Sequence, residues 1–267
     1  MKNKIIMLIS MMSIAAFVVS CSDDSDGGGT EPEDKEDVVY FDSSVDSYVY
    51  DEYDLDTNNV KITSTVHQDS LAFVQETQIN SKAASEYSMF TNVDGNYVND
   101  STVYYSGETN KMYAHLTVLQ SMFGNIEAEG FSLETFFDQI GRWYLIADNK
   151  AVSWVLHNGE VTYILPTLGE TDGVVVITMR SAGTESIIIN DESIIADKFT
   201  LTMNIKSEIT EPVEFSLDID VDGAFWVAPN IGIVKSNVNS FKLPVIDLWV
   251  EGTESVLVNY SKSETEQ

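Results

Sequence analysis

Basic residues are scarce in this chain. Fourteen lysines and arginines stand against 43 aspartates and glutamates in 267 residues, a net charge of −29 at pH 7. Nucleic acids and anionic membrane faces are recognised through basic patches, so neither is an expected partner of the folded surface. There is one cysteine, Cys21, which rules out an intrachain disulfide framework and a cysteine-built zinc site. The three histidines, His67, His115 and His157, lie far apart, and no two have the short spacing of a zinc site. Each falls in or beside a strand pattern and reads as a partly exposed structural residue. No G-x-S-x-G elbow, H-E-x-x-H, G-x-G-x-x-G or phosphate-binding loop occurs. The sequence therefore assigns no catalytic residue, no metal ligand, no cofactor and no enzymatic activity, and a hydrolase is the weakest of the functional readings. Paired carboxylates cannot be singled out among so many acids, which read as a solvated surface.

What is present begins with an export signal. Lys2 and Lys4 precede an apolar run from Ile5 to Val19, 15 residues broken only by Ser10 and Ser13. A bilayer-spanning helix needs about 20 apolar residues. Val18-Val19-Ser20-Cys21 resembles the lipobox of bacterial lipoproteins, with valine in place of the usual leucine, and the resemblance implies acylation of Cys21 with palmitate-like chains. Each buried methylene of such a chain contributes about 0.8 kcal/mol, so several chains give a durable anchor. The run Ser22-Asp23-Asp24-Ser25-Asp26 behind the cysteine resembles the export signal of Bacteroidetes-type surface lipoproteins. It implies an outer-membrane, lipid-anchored protein exposed at the cell surface, with the periplasmic face as the alternative. Removing residues 1–21 leaves 12 basic and 43 acidic residues, a net −31. Residues 22–37 then read as an acidic, Gly-rich tether, 38–260 as a single mostly-β domain, and 261–267 as a polar tail.

Within 38–260 short β-branched and aromatic runs alternate with turn residues. Val60 to Val66, Ser153 to Leu156, Val161 to Leu165 and Val174 to Met179 each carry the period of two expected of half-buried strands. Between Pro212 and Val221 the alternation is cleanest: Val213, Phe215, Leu217, Ile219 and Val221 take one face, with Glu214, Ser216, Asp218 and Asp220 on the other. Asp222-Gly223 then predicts a tight turn, and Ala224-Phe225-Trp226-Val227 the returning arm of a hairpin. Helical spacing occurs from Ser132 to Trp143, where Leu133, Phe136, Phe137 and Ile140 form a stripe, Ser132 can cap and Gly141 can terminate. Ser81 to Asn110 reads as polar and turn-rich, with Asn92 to Asn96 its clearest turn. Gly183-Thr184-Glu185-Ser186 recurs as Gly252-Thr253-Glu254-Ser255. Two copies suggest one turn-into-strand chemistry used twice, since a repeat architecture needs at least three.

Gly183-Thr184-Glu185, Ile187 to Ile189 and Ile194 to Phe199 resemble a G-x-E-x-V-x-V-…-A-G-x-F stretch of a lipoprotein group. Phe225 to Lys235 resembles that group's later W-Y-A-x-G-V-G-L-V-K stretch. The group is akin to the LolA-like and TapB-like lipoproteins, and the resemblance covers about residues 183–260. It implies a mainly β, α+β fold: a curved antiparallel sheet, or half-barrel, wrapped around one or two helices. In the LolA-like branch the concave sheet holds acyl chains, which implies a hydrophobic or amphipathic ligand but assigns no binding residue. Surface glycan capture beside a polysaccharide uptake system is the alternative, with Trp143, Trp154, Trp226 and Trp249 as possible stacking groups, although strand tryptophans mostly serve cores. Asp218-Ile219-Asp220-Val221-Asp222-Gly223 opens like an EF-hand loop, but the twelfth position is Pro229, not glutamate. Asp54 to Asn58 lacks both the glycine and the glutamate. The sequence fixes no oligomeric state.

Overall fold

The computed structural model describes residues 35–93, 95–123, 127–128, 131–132, 141–165, 169–209, 215–243 and 248–263. Cys21 and the tether as far as residue 34 lie outside them. Strands β1 (Val45–Leu55), β2 (His67–Ile79), β3 (Lys82–Val93), β4 (Asn96–Glu108) and β5 (Lys111–His115) follow one another. Helix α1 (Leu116–Phe123) and the short strands β6 (Glu127–Ala128) and β7 (Phe131–Ser132) precede β8 (Trp143–Asp148). Next come β9 (Ser153–Leu165), β10 (Gly169–Ile189), β11 (Glu192–Ile209), β12 (Phe215–Ala228) and β13 (Gly232–Val238). A separate two-stranded ribbon, β14 (Phe241–Leu243) with β15 (Leu248–Val250), leads into β16 (Gly252–Lys262), which runs two residues into the expected polar tail.

Fourteen strands form one antiparallel sheet in the order β6-β7-β9-β10-β11-β12-β13-β16-β1-β2-β3-β4-β5-β8. The sheet curls into a nearly closed barrel, as the mainly β reading expects. Its two arms meet where Trp154 of β9 donates its indole N–H to the Leu145 carbonyl of β8 at 2.8 Å. Two of the tight hairpins share one chemistry. Asn80-Ser81 and Asn190-Asp191 both hold two successive residues at positive φ, from 52° to 67°. That is the requirement of the two-residue turn whose twist matches paired strands, and asparagine and aspartate tolerate it better than most residues.

Antiparallel order gathers these turns, together with Asn110 and Asn230, at one end of the barrel. The chain enters there. The amides of Asn110 and Asn230 donate to the carbonyls of Val38 (2.6 Å) and Val39 (2.7 Å). Asp37, in the described part of the expected tether, accepts from Asn110 Nδ2 at 2.8 Å and pairs with Lys150 at 3.2 Å. Tyr40 and Phe41 then drop into the interior. Tyr40 meets Phe199 edge-on and its hydroxyl donates to Asp197 at 2.6 Å, while Phe41 packs on Tyr87 and Tyr105. This end is plugged by the protein's own aromatic side chains.

Several sequence expectations change on folding. Val60 to Val66 is not a strand: Lys61 makes one isolated bridge to Leu55 and Thr63–Thr65 is a 3-10 turn. Pairing with the end of β1 stops after that bridge and the bond from the Ile62 amide to the Asp54 carbonyl at 2.9 Å; Val60 and Val66 stay exposed, and the Asp56 carboxylate gathers the amides of Asn58 and Val60 at 2.8 and 2.9 Å. Asp222-Gly223 is not a turn either. Both residues lie inside β12, opposite Thr202 and Leu201 of β11, and Gly223 also faces Val238 of β13. A Cβ at Gly223 would stand 2.7 Å from the Asn237 carbonyl oxygen, so the glycine serves close strand approach. Ser81 to Asn110 is mostly the long β3–β4 hairpin, turning at Gly95, whose amide donates to Asn92 Oδ1 at 2.9 Å. The helix expected over Ser132 to Trp143 lies largely outside the described residues; Ser132 and Trp143 at its limits belong to strands. The described helix is α1, which buries Leu116, Val118 and Leu119. Leu217, Ile219 and Val221 are buried on the inner face of β12 as expected; the Phe215 side chain lies outside the described set.

Candidate functional site

The inner face of β1 changes character along its length: Tyr48, Tyr50, Glu52. The two tyrosines reach across the interior and donate to the carbonyls of Ile231 and Ile233, each at 2.8 Å. Glu52 stands two residues further from the plugged end. Register supplies its surroundings. Ser236 of β13 faces Ser255 of β16, Ser255 faces Glu52, and Glu52 faces His67 of β2, one row across four strands. In the adjoining row Tyr50 faces Asp69, and Asp69 faces Thr91 of β3. Successive inward positions alternate with outward ones, so Glu52, His67 and Asp69 share one face. His67 Nε2 lies 3.8 Å from Glu52 Oε1 and 4.0 Å from Asp69 Oδ1. The side chains become drier inwards, from 37% exposed for His67 to 18% for Glu52 and 8% for Asp69.

Beneath this acidic rim is a cavity of about 70 Å3. Its walls are Tyr50, Leu71, Met89, Val103 and Tyr105, with Val118 from α1 and Ile233 from β13, and Glu52, Asp69, Ser236 and Ser255 form its polar side. Burial first, and then the charge of Asp69, push the Glu52 carboxyl up to about 7, against the opposing pull of His67. Burial likewise raises Asp69, again opposed by His67. Two dry carboxylates side by side resist full ionisation and favour a shared proton or a bound cation.

The other sequence candidates stay apart from this rim. His115 packs edge-on between Tyr104 and Trp143, and burial lowers its pKa. His157 lies on β9, also lowered by burial. Asp218, Asp220 and Asp222 point outwards from β12 and are tied by Asn204 Nδ2 (2.7 and 2.8 Å) and Thr202 Oγ1 (2.9 Å). They form a hydrogen-bonded strand face, not a calcium loop. Trp226 is buried, with the Lys198 and Lys235 ammonium groups 4.6 and 4.5 Å from its ring. Trp143 and Trp154 donate to the carbonyls of Ile79 and Leu145, and Trp249 is 45% exposed. Cys21 lies outside the described residues. Sequence reasoning missed the rim because Glu52 and His67 are separated by the irregular segment 56–66, which hides their register. The signal available was the acid at an inward position of a tyrosine-bearing strand.

No family model matches the chain, and no curated protein matches it. Among solved structures, one protein designated a lipoprotein, from Parabacteroides distasonis ATCC 8503, is 13% identical over 85% of this chain and 100% of its own, at a TM-score of 0.49. Another, designated an exported protein with a YmcC-like fold, from Bacteroides fragilis NCTC 9343, is 12% identical over 84% and 100% of the two chains, at 0.40. The hypothetical lipoprotein YmcC from Escherichia coli K12 is 11% identical over 82% and 86%, at 0.31. At these values the likeness transfers neither a function nor a site to this chain.

Proposed function

We propose that this chain is an exported lipoprotein, anchored in the outer membrane through acylated Cys21, that binds one end of a small amphipathic ligand without turning it over. The observation that carries the binding reading is the cavity between Tyr50 and Tyr105, apolar in its walls and acidic at its rim. It suits a ligand with a short apolar group and a cationic or hydroxyl-bearing head. Size supports a short apolar group: among the described residues the cavity is about 70 Å3, less than half of the ~150 Å3 apolar cavity that admits benzene. Glycan capture would use a row of exposed aromatics, and among the described residues Trp249 is the one tryptophan in that state.

Native mass spectrometry of protein purified from its own membrane should detect a bound small amphiphile. Met89→Trp, which fills the cavity, should abolish the adduct. No adduct on the parent protein, or an equal adduct on the variant, would refute the reading.

A further inference from the structure

We propose that Glu52, His67 and Asp69 form a binding site for one divalent transition-metal ion of the zinc class. The three ligand atoms, one nitrogen and two carboxylate oxygens, all lie within 4.8 Å of one another. They are placed by strand pairing: Glu52 stands directly opposite His67, and Asp69 follows on the same face of β2. Ligands ~2.0–2.2 Å from a tetrahedral ion stand ~3.4 Å apart, so the observed 3.8 and 4.0 Å need to close by about 0.5 Å.

A second observation points to a cation. Asp69 as a whole residue is only 6% exposed, and although its side chain bonds Thr91 and the Glu52 carboxyl, its Oδ1, the oxygen nearest His67, has no further donor. A buried carboxylate oxygen without a partner is costly. Among the described residues no lysine or arginine pairs with Glu52 or Asp69; each described ion pair of theirs is with His67. An ion at the centre of the three would satisfy the orphaned oxygen and offset both acids.

The donor set decides the class of ion. Calcium and magnesium take six or more oxygens, whereas an imidazole with two carboxylates suits zinc and its neighbours. Three protein ligands leave a fourth position open, and His67, the most exposed of the three, marks the side from which an ion or a water would enter.

The inference stands on the rim residues alone and does not need the amphipathic ligand; zinc binding by a protein that carries no amphiphile would keep this inference and refute the other. The experiment uses the full-length protein in detergent, without a histidine tag and stripped with chelator. Zinc is titrated calorimetrically with excess Ca2+ and Mg2+ occupying the acidic surface, and Co2+ is added separately to read its visible absorption. One zinc per chain is expected, with a Co2+ spectrum of low coordination number. His67→Gln, at a half-exposed position that does not threaten folding, should weaken zinc at least ~100-fold and erase the cobalt band, because even outer-shell losses cost 10–100-fold. Asp69→Asn should do the same. Absence of stoichiometric zinc, binding that excess Ca2+ removes, or unchanged affinity in His67→Gln would overturn the inference.

Discussion

Replacing Gly252 by alanine should damage this protein far more than replacing Gly183, although both glycines open the same Gly-Thr-Glu-Ser sequence. Gly183 has φ of +88° at a register break between β10 and β11, and an added Cβ there meets nothing within 4 Å. Alanine at that position suffers only the backbone penalty of positive φ, about 1–3 kcal/mol. Asparagine, which tolerates positive φ, should recover part of it. Gly252 is different: a Cβ would stand 2.2 Å from the Val238 carbonyl oxygen and 2.5 Å from the Ser240 amide nitrogen. These are backbone atoms and cannot rotate away, so residues 238–240 must move. That movement disturbs Ser240 Oγ, which donates to Leu55 and Asp56 at 3.1 and 2.8 Å and accepts from the Gly252 amide at 2.8 Å. Overpacking at about 1–3 kcal/mol, plus about 1 kcal/mol for each of the three hydrogen bonds lost, gives about 4–6 kcal/mol for Gly252→Ala. Urea denaturation of the Cys21→Ser protein followed by tryptophan fluorescence measures all four variants. Gly252→Asn should be at least as harmful as Gly252→Ala, whereas Gly183→Asn should be milder than Gly183→Ala. Equal losses at the two glycines, or a Gly252→Ala loss under about 1 kcal/mol, would refute the reasoning.

Cys21→Ser should move the protein from the membrane fraction to the soluble one, and unchanged partitioning would end the anchor proposal. Protease added to intact cells should cut within residues 22–34, before the contacts of Asp37; cutting that needs lysis would place the protein inside the outer membrane. In chelator, stability should fall as pH rises across the rim's titration. Glu52 is held up to about 7 from 4.5, so the folded chain keeps that proton more tightly than the unfolded one. The resulting stability is complete below about pH 4.5 and is lost as pH rises through about 7. Glu52→Gln should lessen this decline, leaving the share of Asp69, matching its parent near ~pH 4 and exceeding it near ~pH 8 in urea midpoints; a parent-to-variant difference that does not change with pH would contradict it.

The sequence by itself determined what local chemistry controls. Alternation at Leu217, Ile219 and Val221 made a half-buried strand, and the turn at Gly95 between β3 and β4 was legible in Asn92 to Asn96. The apolar run from Ile5 to Val19, followed by Cys21, set the export reading. Tertiary structure decided what depends on a partner strand. Val60 to Val66 has the letters of a strand, but its pairing with the end of β1 stops at Lys61 and Ile62, and Asp56 folds it into a turn instead. Asp222-Gly223 has the letters of a turn but sits where β13 approaches within reach of a Cβ, so the chain runs straight through. The rim follows the same logic. Glu52 and His67 meet because β1 and β2 pair in one register across segment 56–66, and that pairing sets Asp69 on the same buried face. Side-chain alternation is a property of neighbours along the chain; register and curvature arise only when distant strands bury their faces together.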